Sequence, residues 1–392
     1  MDDLFCPGPL ADPALLEMLS ARPIGDLALH EARLPDHLIC TPEGEGPFRW
    51  HLVPRKGAGV PGILIRAAGK DFRARLEWFA AGLGFRRTSA IIDPGREAGE
   101  GRVCEAAALL PPEAGAGEEC RPFDPAQWRA GGAAAILRRA CEEALSCRDH
   151  VKPEELARKM PFILGRAAAW WRARGEDAQG GENAGDCRFS REDVAVLSHD
   201  WPYCNFFAVQ EFELRFRRFG GAMSAPVPRA AFTGYDAVIV LPYDPARDEV
   251  LVVEQFRMGP FARGARCPWV LEPVAGHVDP GESPEAAGLR EAREEAGLEI
   301  RRLIPISRSY PSPGASTEFY YIFLGLCDLS GIGEGIGGKA GEHEDIRRHI
   351  LPFARLMEMV ERGEINVTPL VLAALWLARW RGRQDGTGAK AD

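Results

Sequence analysis

The chain has 392 residues, 46% hydrophobic and 27% charged, which is ordinary for a globular protein and sufficient for roughly two to three domains. Its formal net charge of −9 argues against a general binder of nucleic acid or of an anionic membrane, since both need a basic surface. No stretch approaches the ~18 uninterrupted apolar residues of a membrane span. The opening MDDLFCPGPLADP lacks the basic and apolar segments of a secretory leader, so a cytoplasmic protein is expected. The 10 cysteines contain no CxxC pair and read as buried or free thiols rather than as a disulfide framework or a zinc site.

Residues 1–93 mix short apolar runs (LFCPGPL, HLICT, FRWHLVP, PGILIRA, TSAIID) with turns, and two helical patterns, DPALLEMLSA and KDFRARLEWFAAGL, interrupt them. This is the pattern of a small α/β or α+β domain. Residues 94–197 are richer in Ala, Gly, Glu and Arg. They read as a helical connector carrying GGAAAILRRACEEALSC and KPEELARKMPFILGRAAAWWRARG, followed by the flexible linker GEDAQGGENAGDC. Trp170 and Trp171 of this segment are most simply core packing against the connector.

Residues 198–385 are dominated by strand signals. FFAVQEFELRFRRF alternates apolar and polar residues, and DAVIVLPYDPARDEVLVVEQF reads as a hairpin around DPARDE. WVLEPVAG and TEFYYIFLGLC are further strands, and TPLVLAALWLARW is a C-terminal helix. A second helix, Ser283 to Ala296, is well punctuated: Ser283 suits the N-cap, Pro284 the first turn and Gly297 the C-terminal cap. Strand, loop, helix and strand with flanking β-structure predict an α/β/α sandwich, and an α/β (α+β) class for the whole chain.

On that helix Glu291, Glu294 and Glu295 fall at i, i+3 and i+4 and share a face. Each like-charge pair costs a few tenths of a kcal/mol even when exposed, so something positive should sit against them. One candidate is a surface lattice with Arg290 and Arg293. The other is Mg²⁺, which takes carboxylates and keeps waters for a phosphate substrate.

The order of residues favours the second. Gly276, Glu282, Arg290, Glu291, Ala292, Glu294, Glu295, Gly297 and Leu298 fit G-x5-E-x7-R-E-U-x-E-E-x-G-U throughout. This resembles the Nudix box of hydrolases that cut nucleoside diphosphates linked to another moiety. The resemblance implies that Glu291 and Glu295 bind Mg²⁺ (Mn²⁺ a substitute), with the carbonyl of Ala275 as a further ligand. Glu294 lies close by as a catalytic candidate, and Arg290 and Glu282 brace the helix and loop.

VLVVEQFRMGPFARGARCPWVLEPVAG before the box and YPSPGASTEFYY after it resemble the ADP-ribose pyrophosphatase subfamily, which has a proline where Pro313 stands. In GEHEDIRRHIL, Glu342 matches the family's general base and Glu344 a metal-binding carboxylate. Arg257 and Arg229 fall where the family uses arginine on substrate, and Glu318 matches a position near the terminal ribose. Glu272 is a further candidate contact. His277 and His343 are loop histidines of the kind usually left solvated, and the family does not use them as ligands. Subfamily members form dimers through a segment like FELRFRRFGGAMSAPVPR, so a homodimer is expected.

LFCPGPLADPALLEML and ARLEWFAAGLGFRR resemble gamma-glutamylcyclotransferase-like folds, but Pro7 and Pro9 replace loop residues and Ala80 stands at the catalytic glutamate position, with Glu77 nearby. The resemblance therefore implies a catalytically silent relative. The combined architecture resembles a bacterial family associated with tellurite resistance. Together these readings imply Mg²⁺-dependent hydrolysis of ADP-ribose, or a close ADP-sugar, to AMP and a sugar phosphate. The rivals are another nucleoside diphosphate derivative as substrate, or a regulator that binds ADP-ribose without cutting it.

Overall fold

The computed structural model describes residues 3–43, 45–95, 103–115, 119–178, 189–333, 335–338 and 344–386. The chain divides into two compact units, residues 1–234 and 235–392.

The first unit runs β1 (Leu4–Pro7), α1 (Pro13–Ser20), β2 (Leu29–Pro42), β3 (His51–Ile65), α2 (Lys70–Gly82) and β4 (Arg86–Ile92), then β5 (Cys104–Leu110) and β6 (Cys120–Pro122). The helices α3 (Pro125–Ala130), α4 (Ala133–Ser146) and α5 (Pro153–Ala178) follow. Its larger sheet has six strands in the order β4-β5-β1-β3-β2-β6. The segment expected as a helical connector thus also supplies two strands. β5 is CEAAALL, whose Ala, Leu and Glu favour a helix by propensity, but pairing with β1 and β4 decides its conformation. Phe5, Leu16, Leu76, Phe79, Leu137 and Ile163 are buried in one core that joins sheet and helices. Ala80 is fully buried there, and Glu77 pairs with Arg87 at 3.4 Å.

Cys40 and Cys120 form a disulfide, a departure from the all-thiol expectation. No spacing rule links these two positions; it is the pairing of β2 with β6 that brings them together. A separate three-stranded sheet, β7 (Val194–Cys204), β8 (Ala208–Phe216) and β9 (Val227–Thr233), completes this unit. Most of this sheet lies between the expected domain start at 198 and the end of the first compact unit at residue 234.

The second unit runs β10 (Asp236–Asp244), β11 (Glu249–Phe256), α6 (Met258–Arg263), β12 (Trp269–Glu272), β13 (Val274–His277) and α7 (Pro284–Ala296). Next come β14 (Arg302–Ser309), β15 (Phe319–Leu326), β16 (Gly335–Gly337), β17 (Ile346–Pro352), α8 (Phe353–Glu361) and α9 (Thr368–Gly386). The main path of its sheet is β14-β15-β10-β11-β17-β16, with β12 added to β11 and β13 to β10.

Both faces of this sheet are covered, and β10 shows how. Its alternate residues Val238 and Val240 pack with Ala287, Ala292 and Ala296 of α7. Ile239, Leu241 and Tyr243 face the other way, onto Phe353 and Leu356 of α8 and Leu370, Ala373 and Leu377 of α9. A strand buried on both sides reads as a continuous apolar run, as AVIVL does here. The expected α/β/α sandwich is what forms. Among the described residues, no helix is long and apolar enough to cross a membrane.

Candidate active site

Three local devices set the acidic helix against the sheet. β13 pairs with β10 so that Ala275 lies opposite Ile239 and Gly276 opposite Val238. After the turn at Gly281 (φ 87°), Ser283 Oγ accepts the Ala286 N–H at 3.1 Å and Pro284 opens the helix. Gly297 ends it in the left-handed region (φ 64°), its N–H donating to the Arg293 carbonyl at 2.9 Å. The alanine face of α7 goes down onto β10, beside which Glu295 is buried while Glu291 and Glu294 stay half-buried.

Arg290 gathers this loop and helix. Its Nε and Nη2 donate to Glu282 at 3.1 and 3.0 Å, and Nη2 also donates to the His277 carbonyl at 3.0 Å. Nη1 donates to Glu291 at 2.6 Å and to Glu294 at 3.1 Å. Partial burial disfavours the charged guanidinium, yet Glu282 and Glu291 together raise its pKa. His277 contributes a carbonyl, and its ring lies 4.4 Å from that of Tyr235. At Gly276, a Cβ would overlap the Glu291 carboxylate, so a side chain here would displace that carboxylate.

Glu295 is only 3% exposed, and its Oε2 accepts the Ala275 N–H at 3.2 Å. Burial, reinforced by the charges of Glu291 and Glu344, pushes its pKa up to about 8, while the Ala275 N–H and Arg257 pull it down. Glu291, Glu295 and Glu344 thus belong to one electrostatic neighbourhood, which Arg257 also enters.

Arg257 sits between β11 and α6. Its Nε and Nη2 donate to Glu272 Oε2 at 2.8 and 2.6 Å. Burial opposes its charge, but Glu272, with Glu295 and Glu344 behind it, raises its pKa. Glu272 is buried and also accepts from Gln255 at 3.4 Å. Two residues that the sequence marked as separate substrate contacts are therefore partners of each other.

Glu318 accepts a hydrogen bond from Ser316 at 3.2 Å, and burial raises its pKa. Tyr320 was not singled out from the sequence. Burial, then Glu318 and Glu272, push its pKa up to about 12, with Arg257 acting in the opposite sense. Its place on β15 was legible from the apolar run, but Glu318 lies just before the strand and nothing in the local pattern marks the tyrosine. Pro313 lies in an exposed turn in which Ser316 N–H bonds to the Ser312 carbonyl at 2.9 Å. Arg229 is on β9 in the first unit, exposed, with Nη1 donating to the Pro228 carbonyl at 2.8 Å. Glu342 and His343 lie outside the described residues.

Among the described residues no three acidic, His or Cys side chains are arranged to hold a metal ion as they stand. Arg290 already takes up oxygens of both Glu291 and Glu294. The chemistry of the donor set nonetheless suits a hard divalent cation: it is all oxygen, and Glu295, raised first by burial and then by Glu291 and Glu344, is a carboxylate whose charge a cation would stabilise.

The NUDIX domain family matches residues 235–371 of this chain. The ADP-ribose pyrophosphatase of Escherichia coli is 39% identical over 189 residues, which is 48% of this chain and 90% of that protein. The ADP-ribose pyrophosphatase of Haemophilus influenzae is 35% identical over 191 residues, 48% of this chain and 88% of that protein. The GDP-mannose pyrophosphatase of Salmonella choleraesuis is 31% identical over 176 residues, 44% and 88% respectively.

Proposed function

The chain belongs to the Nudix hydrolases through its C-terminal half, and from that premise we propose that it hydrolyses the pyrophosphate bond of ADP-ribose to give AMP and ribose 5-phosphate. The observation that carries the reading is buried Glu295 with half-buried Glu291 and Glu344 in its electrostatic neighbourhood and Arg257 beside it. A diphosphate needs positive charge to be approached by water, and this site combines a place for cations with a guanidinium fork.

In this proposal Glu291, Glu295, Glu344 and the Ala275 carbonyl hold Mg²⁺, with Mn²⁺ able to replace it. When bound, the ion neutralises the diphosphate and lowers the pKa of a coordinated water. Arg290 and Glu282 keep the loop and helix in register. Arg257, oriented by Glu272, binds phosphate oxygens, and Glu318 binds the terminal ribose. Glu342 takes the proton of the attacking water, with Glu294 as the alternative. Arg229 is proposed as a second arginine for substrate. We further propose that the protein is a homodimer and that the first unit is a catalytically silent cyclotransferase relative, with Ala80 in place of the glutamate.

Turnover on a panel of nucleoside diphosphate derivatives with Mg²⁺ tests the reading. AMP release from ADP-ribose, strongly reduced in Glu295→Gln and Glu342→Gln, is the expected result. Faster release of GMP from GDP-mannose would transfer the proposal to the second substrate class, which the 31% identical relative favours. Tight ADP-ribose binding without turnover would make the protein a sensor instead.

A further inference from the structure

Two residues before β17 stands Glu344, and the strand that follows carries an arginine to which the proposed hydrolysis gives no part. β16 and β17 pair antiparallel, with Gly335 opposite Arg348 and Gly337 opposite Ile346. Residues 346, 348 and 350 of β17 alternate onto one face. Ile346 is fully buried, and Ile350 packs with it in the core that holds Ala292 and Ala296 of α7, so this face is turned to the helix. Arg348 lies on it between the two isoleucines, and its Nη1 donates to the Ala296 carbonyl at 2.9 Å. Ala296 is the last residue of α7. The final carbonyls of a helix have no partner within it and carry partial negative charge, so a guanidinium there satisfies and complements the helix end.

Glycines let the hairpin come this close. A Cβ at Gly335 would overlap the Arg348 guanidinium, and one at Gly337 would overlap the Glu295 carbonyl. The backbone of β16 therefore lies directly against the last turn of α7. Gly338 is in the left-handed region (φ 98°), and a Cβ there would crowd Glu344. Glu295, Gly337, Gly338 and Glu344 are thus successive neighbours in space. Where Glu344 stands relative to Glu295 depends on how the hairpin seats on the helix end, and the Arg348 side chain spans that contact.

We infer that Arg348 is a positioning residue: by tying β17 to the C-terminal end of α7 it fixes Glu344 against Glu295 and so sets the affinity of the site for its divalent cation. It touches neither the ion nor the substrate. This role rests on the cation site proposed for Glu291, Glu295 and Glu344. Without the guanidinium, the Ala296 carbonyl loses its donor and the cradle at Gly335 empties, so the hairpin can slide on the helix end and carry Glu344 with it.

Mn²⁺ binding to the full-length protein, followed by the electron paramagnetic resonance signal of the free ion, reads the site without turnover. Arg348→Ala is expected to weaken binding about 10-fold, the lower end of what loss of a ligand's support costs, with an unchanged circular dichroism spectrum. Arg348→Met keeps the aliphatic stem and removes the donor. The same loss is expected from it, and it decides the question if the alanine variant fails to fold. Glu344→Gln supplies the background that separates positioning from general damage. With that carboxylate gone, removing the Arg348 donor should change affinity by no more than about 2-fold, because its effect passes through Glu344. Wild-type Mn²⁺ affinity in a folded Arg348 variant would overturn the proposal, and so would an equal loss in both backgrounds. Failure of the cation site itself looks different: the wild-type protein would then bind no Mn²⁺, or Glu344→Gln would bind it as tightly as wild type, and the role of Arg348 would fall with the site.

Discussion

Glu282 and Arg290 meet through two hydrogen bonds, of 3.1 and 3.0 Å, across eight residues of chain. The fork ties the glycine-rich loop to the helix, and the remaining guanidinium nitrogen holds Glu291 and Glu294. Replacing Arg290 leaves those partly buried carboxylates to repel each other. Arg290→Ala is expected to cost roughly 1–3 kcal/mol of unfolding free energy, between the values for an exposed and a buried ion pair. Arg290→Lys should recover little of it, since an ammonium cannot make the two-pronged contact. Denaturant unfolding of both variants checks this, and equal stability of Arg290→Lys and wild type would count against the fork.

Gly276 has a steric rather than a conformational reason to be glycine. An added Cβ would overlap the Glu291 carboxylate, which must then rotate away from its place on the helix face. Gly276→Ala is expected to fold and to need about 10-fold more Mg²⁺ for half-maximal activity, at the lower end of what disturbed ligand positioning costs. A Mg²⁺ titration of turnover beside circular dichroism separates this from misfolding. An unchanged Mg²⁺ requirement would remove Glu291 from the metal site.

Arg257 and Glu272 can be separated by a pair of variants. Arg257→Ala deprives the substrate of its fork and also strands buried Glu272, so it should raise KM by at least ~10-fold and cost about 3 kcal/mol of stability. Adding Glu272→Gln removes the stranded charge. The double variant is expected to regain most of the stability and none of the KM. If KM recovers along with stability, Arg257 acts through the fold and does not touch substrate.

What the sequence disclosed about this site divides by the range of the interactions. Caps and the box spacing are local, so the ends of α7 and the shared face of its glutamates were readable from Ser283, Gly297 and the i, i+3, i+4 rule. The Arg257–Glu272 pair was not, because it depends on how β12 registers against β11: Glu272 lies opposite Val253, four positions before the arginine. Tyr320 was hidden for a related reason. Its strand was legible, but its neighbours Glu318, Glu272 and Arg257 arrive from different elements. In the first unit, alanine-rich β5 is a strand only because β1 and β4 flank it, and Cys40 finds Cys120 only through β6.

Glu295 links metal to stability. It is buried beside Glu291 and Glu344, and its pKa of about 8 reflects the cost of keeping it charged there. A cation that binds the folded site and not the unfolded chain relieves this repulsion. It should stabilise by RT ln(1 + [L]/Kd), about 2.7 kcal/mol at a 100-fold excess over Kd. Mg²⁺ should therefore raise the melting temperature of the second unit's transition, and EDTA should reverse that rise and abolish turnover. Glu295→Gln removes the buried charge, so its metal-free form should melt at or above the wild-type temperature while its response to Mg²⁺ is lost. A Glu295→Gln protein that still gains the full Mg²⁺ shift would place the ion elsewhere, with Glu291 and Glu344 as its remaining carboxylates.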